Sequence, residues 1–435
     1  MTIVAPAPRV QYSTIDPAPV REIRVAVLGL GQVGGAIAAL AVRAAGTLPA
    51  SFHVASALVR DPQKPRASEA AALPLTTDPR AALASRPDVL IEVLGGIEPA
   101  RTLVLEALNA GIPVVTANKT LLAYCGSELF AAAAAAGVPI LYEASVLAGV
   151  PFLGTLGRRP LARSVTGFRG ILNGTSNFML TRMARDGVGF AEALASAQRA
   201  GFAEPDPSKD IEGDDAVEKL CVLLRHVAGF DVHPSQIDKI GITGVDGRDQ
   251  QHAAAFGGTV RPVAVADWSG AAVAAYAGPA YVEGTNALSR VDGVQNAIAL
   301  TTLWSGELFF SGPGAGPTVT AATVLDDVFE ASQNGETVSI PRFANTARPA
   351  PKVTSVNEGG WFVRLTSSSL GEAEAAALLA TLGIRLRRAS CIDARSGRHS
   401  QWLLTHPCGR AHLDAALDLL SAKTGCCAWR IPALE

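Results

Sequence analysis

A cluster of acids surrounds one lysine between Gly201 and Lys219, in a sequence in which only 17% of residues are charged. Pro205 and Pro207 rule out a helix at that point and favour a stiff, extended loop. The residues that follow predict a helix, on which Asp215 and Lys219 stand four positions apart and so share one face. A lysine beside a carboxylate at the mouth of a rigid loop could carry a proton during catalysis. An ordinary surface ion pair explains the same spacing.

The elements that would position this loop begin with a glycine-rich turn near the N-terminus. Residues 23–28 predict a buried β-strand that runs directly into the turn and then into an apolar helix. The first glycine permits a tight turn, the second lets the backbone approach a pyrophosphate, and the third lets helix and strand pack closely. The start of the helix offers free N–H groups to that anion. The predicted dinucleotide-binding residues of the turn are Gly29, Leu30, Gly31, Gln32, Val33 and Gly34.

Strands and helices continue to alternate after the turn, which predicts an α/β fold with a Rossmann-type, doubly wound parallel sheet over residues 23–150. Ligands bind such sheets at the carboxyl ends of the strands, where Thr116 and Lys119 fall. After the second strand, Arg60 begins a loop that also contains two further cations and one acid, Asp61. The cations favour NADP through its 2′-phosphate, whereas Asp61 leaves NAD open. A solvated basic loop is the alternative interpretation.

The run that ends at Lys219 has a distinctive fixed spacing and reads A-Q-R-A-G-F-A-E-P-D-P-S-K-D-I-E-G-D-D-A-V-E-K from Ala197. It resembles the signature of homoserine dehydrogenases. Similar blocks extend the resemblance over residues 23–340, at Gly29–Gly34, Glu92–Pro99, Thr116–Lys119, Glu143–Pro151, Gly170–Asn177 and Gly312–Ala321. The resemblance implies an NAD(P)-dependent enzyme that interconverts L-homoserine and L-aspartate 4-semialdehyde, in the biosynthesis of threonine, methionine and isoleucine.

The resemblance also implies roles for individual residues. Lys219 is expected to carry the proton, assisted by Lys119 between nicotinamide and substrate, and Asp215 completes the catalytic set. Burial and the charge of Lys119 should lower the pKa of Lys219, while Asp215 opposes them. The expected substrate contacts are Glu204, Asp210, Asp215, Gly174 and Thr175. The expected cofactor contacts beyond the first turn are Arg60, Thr116, Lys119, Gly201 and Gly316.

A monovalent cation such as sodium or potassium is implied at the crossover after the first domain. Its ligands would be the side chain of Glu143 or the backbone carbonyls of Val146, Ala148 and Val150, since oxygen atoms suit a hard cation. A hinge between domains is compatible with the same residues. Two positions depart from the family pattern. Leu147 and Ala148 are bulkier than the residues expected there, and Phe202 stands where many members have tyrosine, which removes one hydroxyl contact.

The rest of the chain divides by composition and periodicity. Residues 1–22 predict a flexible tail, and 151–311 predict an α+β domain for substrate binding and dimerisation. Strands that include 263–265 and 301–310 are expected to form the sheet that pairs protomers in a dimer. Residues 312–340 predict a helix that returns to the first domain, and 341–357 a linker. Residues 358–435 read as a ferredoxin-like βαββαβ unit that resembles an ACT domain. Such a unit could bind an amino-acid effector or only support a homodimer or homotetramer.

The bulk composition excludes several classes of protein. A net charge of −2 over 435 residues gives no electrostatic reason to expect nucleic acid or a membrane as partner. No apolar run reaches the length of a membrane helix. The six cysteines lack metal or disulfide spacing, which predicts a cytoplasmic protein.

Three hypotheses about function follow from these observations. With no aspartate-kinase-like segment before the first strand, a monofunctional homoserine dehydrogenase is expected. One alternative is a related NADP-dependent dehydrogenase that acts on another amino-acid aldehyde. The other is a non-catalytic, NADP-binding regulatory paralogue, which the intact lysines and acids of the motif disfavour.

Overall fold

The computed structural model describes residues 21–43, 50–158, 164–333, 348–350, 352–367, 372–392 and 399–435. The predicted tail lies outside these ranges except for its last two residues, which begin the first strand. Of the predicted linker, residues 341–347 and 351 also lie outside them. Within the described ranges, no helix combines the length and the apolar character needed to cross a membrane.

The α-helices and strands follow one another in the order expected for an α/β protein. Helices α1 to α14 span Gln32–Arg43, Ser68–Ala71, Pro79–Ala84, Ala100–Asn109, Lys119–Ala136, Leu153–Gly157, Gly174–Asp186, Phe190–Arg199, Ser208–Ile211, Asp214–Leu223, Gly247–Ala255, Pro317–Ala331, Glu372–Thr381 and Arg410–Thr424. Strands β1 to β20 span Arg21–Leu28, Ala50–Leu58, Leu75–Thr76, Val89–Glu92, Val114–Thr116, Ile140–Leu141, Val165–Ile171, Phe230–Asp231, Asp238–Lys239, Gly258–Asp267, Val273–Glu283, Gln295–Thr302, Gly306–Pro313, Arg348–Pro349, Val353–Thr354, Glu358–Ser367, Leu386–Ile392, His399–Thr405, Cys408–Gly409 and Cys427–Leu434.

The first sheet contains six parallel strands in the order β3-β2-β1-β4-β5-β6. This is the strand order of a dinucleotide-binding sheet, and it confirms the predicted Rossmann-like fold. One face of β1 packs on α1 and on α12, so that Val25 and Val27 share a core with Ile37 and Val324. Helix α12 therefore packs on the first sheet.

The second sheet is mixed and has β13-β12-β7-β10-β11-β20-β16-β18-β17 as its main path. Strands β7, β10, β11 and β12 form its antiparallel centre. The region predicted as strand near 301–310 contains a hairpin turn, since β12 ends at Thr302 and β13 begins at Gly306. Helix α10, which carries the acidic motif's lysine, packs on β10 and β11.

The C-terminal strands continue this second sheet. They lie in the order β20-β16-β18-β17 and alternate with α13 and α14 along the chain. Alternate residues of a strand face opposite sides. Trp361 and Val363 accordingly pack under the two helices, whereas Phe362 packs on Ala253 of α11. Strand β20 also pairs with β11 in parallel, so the predicted C-terminal unit shares a sheet with the central domain.

Candidate active site

The carboxyl ends of β4 and β5 hold a buried polar network. The hydroxyl of Thr116 donates to Glu92 Oε2 at 2.6 Å, and Asn118 Nδ2 donates to Glu92 Oε1 at 3.3 Å. Asn118 Oδ1 accepts from the backbone N–H of Leu121 at 3.0 Å and so caps α5. Burial raises the pKa of Glu92. This network fixes the start of α5, whose first residue is Lys119.

Asp215 joins the two lysines of the predicted catalytic set. Its Oδ1 lies 2.9 Å from Lys119 Nζ, and its Oδ2 lies 2.9 Å from Lys219 Nζ. The side chains of Asp215 and Lys219 are only 8% and 9% exposed, whereas that of Lys119 is 33% exposed. Lysines one hundred positions apart in the chain therefore meet at one carboxylate, and the sequence-based expectation of their proximity is confirmed.

The environment of this cluster shifts the pKa values in different directions. Burial lowers the pKa of Lys219, the charge of Asp215 opposes that effect, and the charge of Lys119 reinforces it. The charge of Asp215 raises the pKa of Lys119 more than burial lowers it. Burial alone would raise the pKa of Asp215, but the two ammonium groups outweigh it and hold the pKa below its usual range. Of the two lysines, Lys219 is thus the one prepared to lose a proton.

Asn173 connects the carboxylates, and sequence reasoning did not single it out as a site residue. Its Nδ2 donates to Asp210 Oδ1 at 2.7 Å and to Asp215 Oδ2 at 2.8 Å, while its Oδ1 caps α7. The preceding carbonyl, that of Leu172, accepts from Lys219 Nζ at 2.7 Å. The signal that could have identified Asn173 is its position before Gly174 at a predicted strand-to-helix turn, where asparagine is a preferred cap.

Glu218 is a second residue that the sequence did not reveal. It is buried beside Lys219, and its Oε2 accepts from the hydroxyl of Thr120 at 2.7 Å. Thr120 follows Lys119 on α5, so this bond ties the start of α5 to the middle of α10. Only the adjacent Glu-Lys pair in the sequence could have pointed to it.

The remaining predicted substrate residues lie on the rim of the cluster. Thr175, at the start of α7 after Gly174, donates its hydroxyl to the carbonyl of Phe202 at 2.7 Å. This bond ties residues 201–214, which we name the acidic loop, to α7. Glu204 is exposed and forms no hydrogen bond or ion pair through its side chain with the described residues. The structure therefore brings Lys119, Asp210, Asp215 and Lys219 together but leaves Glu204 outside their network.

Phe202 and Gly201 lie at the start of the acidic loop. Gly201 follows α8 with a positive φ of 74°. The ring of Phe202 is 43% exposed and meets that of Phe178 edge to face, with centroids 5.0 Å apart. An aromatic contact thus holds the ring of Phe202 in place.

The glycine-rich turn fits a dinucleotide. Gly29 has a φ of 106°, and a Cβ at Gly34 would lie 2.0 Å from the Gly29 carbonyl oxygen. In contrast, a Cβ at Gly31 would meet no atom within 4 Å, so the backbone there borders open space beside the start of α1. Gly316 likewise borders open space at the start of α12. Space beside N–H groups at a helix start is what a pyrophosphate requires.

Replacing Gly34 by alanine is expected to weaken cofactor binding at least tenfold and to lower the free energy of unfolding by about 2 kcal/mol, because the new methyl group would overlap backbone. Fluorescence titration and denaturant unfolding would measure the two effects. Gly35→Ala is the matched control, since its Cβ meets nothing within 4 Å in the same helix. That variant should bind cofactor normally, and equal losses in both variants would contradict the assigned role of Gly34.

The two arginines of the basic loop after β2 have different surroundings. Arg60 is exposed at the end of the strand. Arg66 instead turns back and donates to the carbonyl oxygens of Asp61 at 2.6 Å and Lys64 at 2.8 Å. Arg66 thus holds the loop together, and Arg60 is the arginine that faces solvent.

Glu143, the predicted cation ligand, has backbone partners. Its carboxylate accepts from three successive backbone N–H groups at the start of α6, those of Phe152, Leu153 and Gly154, at 2.8–2.9 Å. The carbonyl of Ala148 accepts from Thr323, and that of Val150 accepts from Phe152. Within the described ranges, no group of three acidic, histidine or cysteine side chains is arranged to hold a metal. The Val146 carbonyl belongs to the same buried bend.

A Rossmann-like sheet with a fitted glycine turn, facing a buried lysine–carboxylate–lysine cluster, defines a nicotinamide-dependent oxidoreductase. Comparison with known proteins supports this class of enzyme. Residues 29–143 match the family model described as the NAD binding domain of homoserine dehydrogenase, and residues 151–329 match the homoserine dehydrogenase model.

Individual relatives support the same class. The chain is 33% identical over 335 residues to a homoserine dehydrogenase from Lactococcus lactis, covering 75% of this chain and 78% of the relative. A solved homoserine dehydrogenase from Thiobacillus denitrificans matches 96% of this chain and 99% of its own, with a TM-score of 0.87 and 30% identity. A hyperthermophilic archaeal homoserine dehydrogenase in complex with NADPH matches 73% of this chain and 99% of its own, with a TM-score of 0.61 and 26% identity. The chain belongs to the homoserine dehydrogenase family and is an oxidoreductase.

Proposed function

We propose that the chain interconverts L-homoserine and L-aspartate 4-semialdehyde, as in threonine, methionine and isoleucine biosynthesis, with Lys219 as the proton carrier. The observation that carries the proposal is the bridging of Lys119 and Lys219 by Asp215, 2.9 Å from each. When bound, the nicotinamide cofactor supplies the hydride acceptor or donor. The protein must then supply a group that takes the hydroxyl proton of the alcohol, or returns it to the aldehyde oxygen.

The contacts of Lys219 support this role. An ammonium group has three N–H donors, and Lys219 uses two of them on the Leu172 carbonyl and on Asp215. One position on Nζ is left for the substrate oxygen. Its lowered pKa lets Lys219 act as a base in alcohol oxidation, and its protonated form acts as the acid in the reverse direction. Lys119 stays charged beside it and polarises the same oxygen.

The substrate's amino group would lie between the carboxylate of the cluster and an acid on its rim. We assign it to Glu204 and Asp215, with Asp210, Gly174 and Thr175 forming the adjoining wall. Support comes from the exposed carboxylate of Glu204 and from the Asn173 bridge between Asp210 and Asp215. A spectrophotometric assay of nicotinamide reduction with homoserine tests the proposal. If the protein oxidises another amino-acid alcohol but not homoserine, the related dehydrogenase would be favoured. If it binds cofactor without any turnover, the regulatory paralogue would be favoured.

We propose NADP as the preferred cofactor, held at its 2′-phosphate by Arg60. Arg60→Ala should raise the KM for NADP about tenfold and leave the KM for NAD nearly unchanged, because only NADP carries the anion that pairs with the guanidinium. Steady-state kinetics with both cofactors measure this. Arg66→Ala is the control, since Arg66 binds loop carbonyls and its loss should affect both cofactors alike. A similar ratio of the two KM values in wild type and Arg60→Ala would exclude the proposed contact.

The cation site remains part of the proposal. Support comes from the carbonyl-rich bend at Val146, Ala148 and Val150, next to the Glu143 carboxylate. Carbonyl and carboxylate oxygens can accept more than one partner, so the observed hydrogen bonds leave capacity for a monovalent ion. Activity that depends on sodium or potassium, compared with a bulky organic cation, would support this site.

We also propose domain limits and an assembly. Residues 23–150 and 312–340 would form the nucleotide domain, 151–311 the substrate domain, and 358–435 an ACT-like module, which the strand order β20-β16-β18-β17 supports. A homodimer or homotetramer would form at β13, an edge strand of the second sheet. Support comes from exposed side chains at this edge, Leu303 at 65%, Trp304 at 73% and Phe309 at 40%. Light scattering would measure the assembly.

A further inference from the structure

Four residues form a row straight across the C-terminal sheet. Arg364 on β16 stands opposite Trp402 on β18 and Trp429 on β20, and Trp402 stands opposite Ser390 on β17. Because cross-strand partners point to the same side of a sheet, the side chains of this transverse row share one face. That face is the one away from the helices α13 and α14.

Every member of the transverse row contacts α11 or the turn before it. Arg364 donates to Asp249 Oδ2 at 2.6 Å and to the Gly244 carbonyl at 3.1 Å. Trp402 Nε1 donates to Asp249 Oδ1 at 2.7 Å, and its ring stacks on His252 with centroids 3.8 Å apart. Asp249 is fully buried. Its only cation partner among the described residues is Arg364.

The outer members of the transverse row complete this contact. The hydroxyl of Ser390 lies 2.6 Å from His252 Nδ1. The indole nitrogen of Trp429 lies 3.1 Å from the position that a Cβ of Gly244 would occupy, and the guanidinium of Arg364 lies 4.7 Å from the Trp429 ring centroid. The whole row therefore packs on residues 244–252.

Residues 238–249, which we name the bridge segment, also contact the acidic loop. Lys239 forms an ion pair with Asp214. Gly241 packs so closely that a Cβ there would lie 2.9 Å from the Ile211 carbonyl oxygen. At its beginning, Asp238 accepts from Arg410 of α14 at 2.5 Å. The bridge segment is thus held by the C-terminal strands and helix on one side and touches residues 211–214 on the other.

The bridge segment also reaches the catalytic network. Ile240 and Ile242 line a cavity together with Asn173, Ser176 and Asp210. Asn173 donates to Asp215, which lies in the first turn of α10. A shift of the bridge segment would therefore change the space around the residues that hold Asp215 and Asp210 in place.

We propose that Arg364 and Asp249 are positioning residues for the substrate-binding loop, because the ion pair between Arg364 and the fully buried Asp249 fixes the bridge segment against residues 211–214. The inference rests on the proposed function only in that it expects homoserine to bind beside this loop. It makes the C-terminal sheet a part of the substrate site's support, independent of any effector.

Arg364→Met tests the proposal in the full-length protein. The KM for homoserine should rise about tenfold, the cost of losing a charged hydrogen bond, while the KM for the cofactor changes less than twofold. Amide hydrogen exchange of residues 208–219 should become about tenfold faster, since the loop loses its support. Arg364→Lys should restore part of both effects.

Arg387→Met is the matched control. Arg387 also lies on a C-terminal strand and pairs with Glu283 of β11 at 3.2 Å, but it does not touch the bridge segment. This variant should leave the homoserine KM and the exchange of residues 208–219 unchanged. Equal changes in both variants would show a merely structural effect and would overturn the proposal.

Trp402→Phe covers the case in which Arg364→Met does not fold, because it removes the indole donor to Asp249 but keeps an aromatic ring beside His252. It should raise the homoserine KM about threefold and accelerate the same exchange. Unchanged exchange and KM in a folded variant would overturn the inference. Lack of homoserine turnover by the wild type would refute the proposed function instead, and the exchange measurement would still decide the inference.

Discussion

Replacing Lys219 by methionine is expected to lower kcat for homoserine oxidation by about three orders of magnitude, the range lost with a general acid–base group. Methionine keeps the volume of the side chain but has no proton to exchange. Asp215 keeps Lys119 as a partner 2.9 Å away, so the fold should persist. Cofactor affinity should change less than twofold, because Lys219 lies on α10 and not on the nucleotide sheet. Single-turnover kinetics and fluorescence titration measure the two quantities.

The pH dependence of the wild-type rates is a second test of the proposed role of Lys219. Its pKa lies below the ordinary lysine value of 10.5 because of burial. Oxidation needs the neutral amine, so its rate should rise with pH through that pKa, whereas aldehyde reduction needs the ammonium and should fall. Lys423→Met, at an exposed lysine of α14, is the control and should retain both profiles. Substantial turnover by Lys219→Met would eliminate this lysine as the proton carrier.

Asp215→Asn is expected to lower kcat about a hundredfold, to move the oxidation profile to lower pH, and to lower the free energy of unfolding by about 3 kcal/mol. Two ammonium groups would lose the carboxylate between them, so the pKa of Lys219 should fall further. The stability effect has a defined pH window. The folded pKa of Asp215 lies below the usual 3.8, so its contribution is present above that value and is lost as the pH falls towards the folded pKa.

Denaturant unfolding at several pH values and steady-state rates test the Asp215→Asn prediction. The control is Asp186→Asn, which removes a surface carboxylate 2.6 Å from Arg182 and should cost less than about 1 kcal/mol. If the Asp215→Asn profile kept its wild-type midpoint, the carboxylate would not govern the proton affinity of Lys219. If both variants lost equal stability, the carboxylate of Asp215 would not stabilise the fold as a buried bridge between the two lysines.

Local spacing was sufficient for part of the site. Asp215 and Lys219 share a helix, and four residues bring side chains onto one face whatever the rest of the chain does. The glycine turn is equally local, because the residues of strand, turn and helix are consecutive. Lys119 is one hundred residues away from Lys219, and only the resemblance to a family could place it nearby.

The remaining contacts depend on elements that are distant in the sequence. Asn173 and Glu218 lie within motifs of the sequence, but the motifs gave them no role. Their bonds to Asp215 and Thr120 require α7, α10 and α5 to pack together. The βαββαβ order of the C-terminal region was evident from periodicity. Periodicity did not reveal that β20 joins this region to β11 of the central domain. It also did not reveal that Asp249 is buried under Arg364.

The sequence by itself determined the helix that carries Asp215 and Lys219, the nucleotide-binding turn and the order of strands and helices, since each follows from interactions between near neighbours. The tertiary structure alone decided that Lys119 and Lys219 share one carboxylate, that Asn173 links the acids, and that the C-terminal sheet packs on Asp249 of the bridge segment. The physical reason is that a pKa shift, a buried ion pair or a shared sheet depends on which groups, distant in the sequence, pack together and exclude water. Sequence spacing does not contain that information.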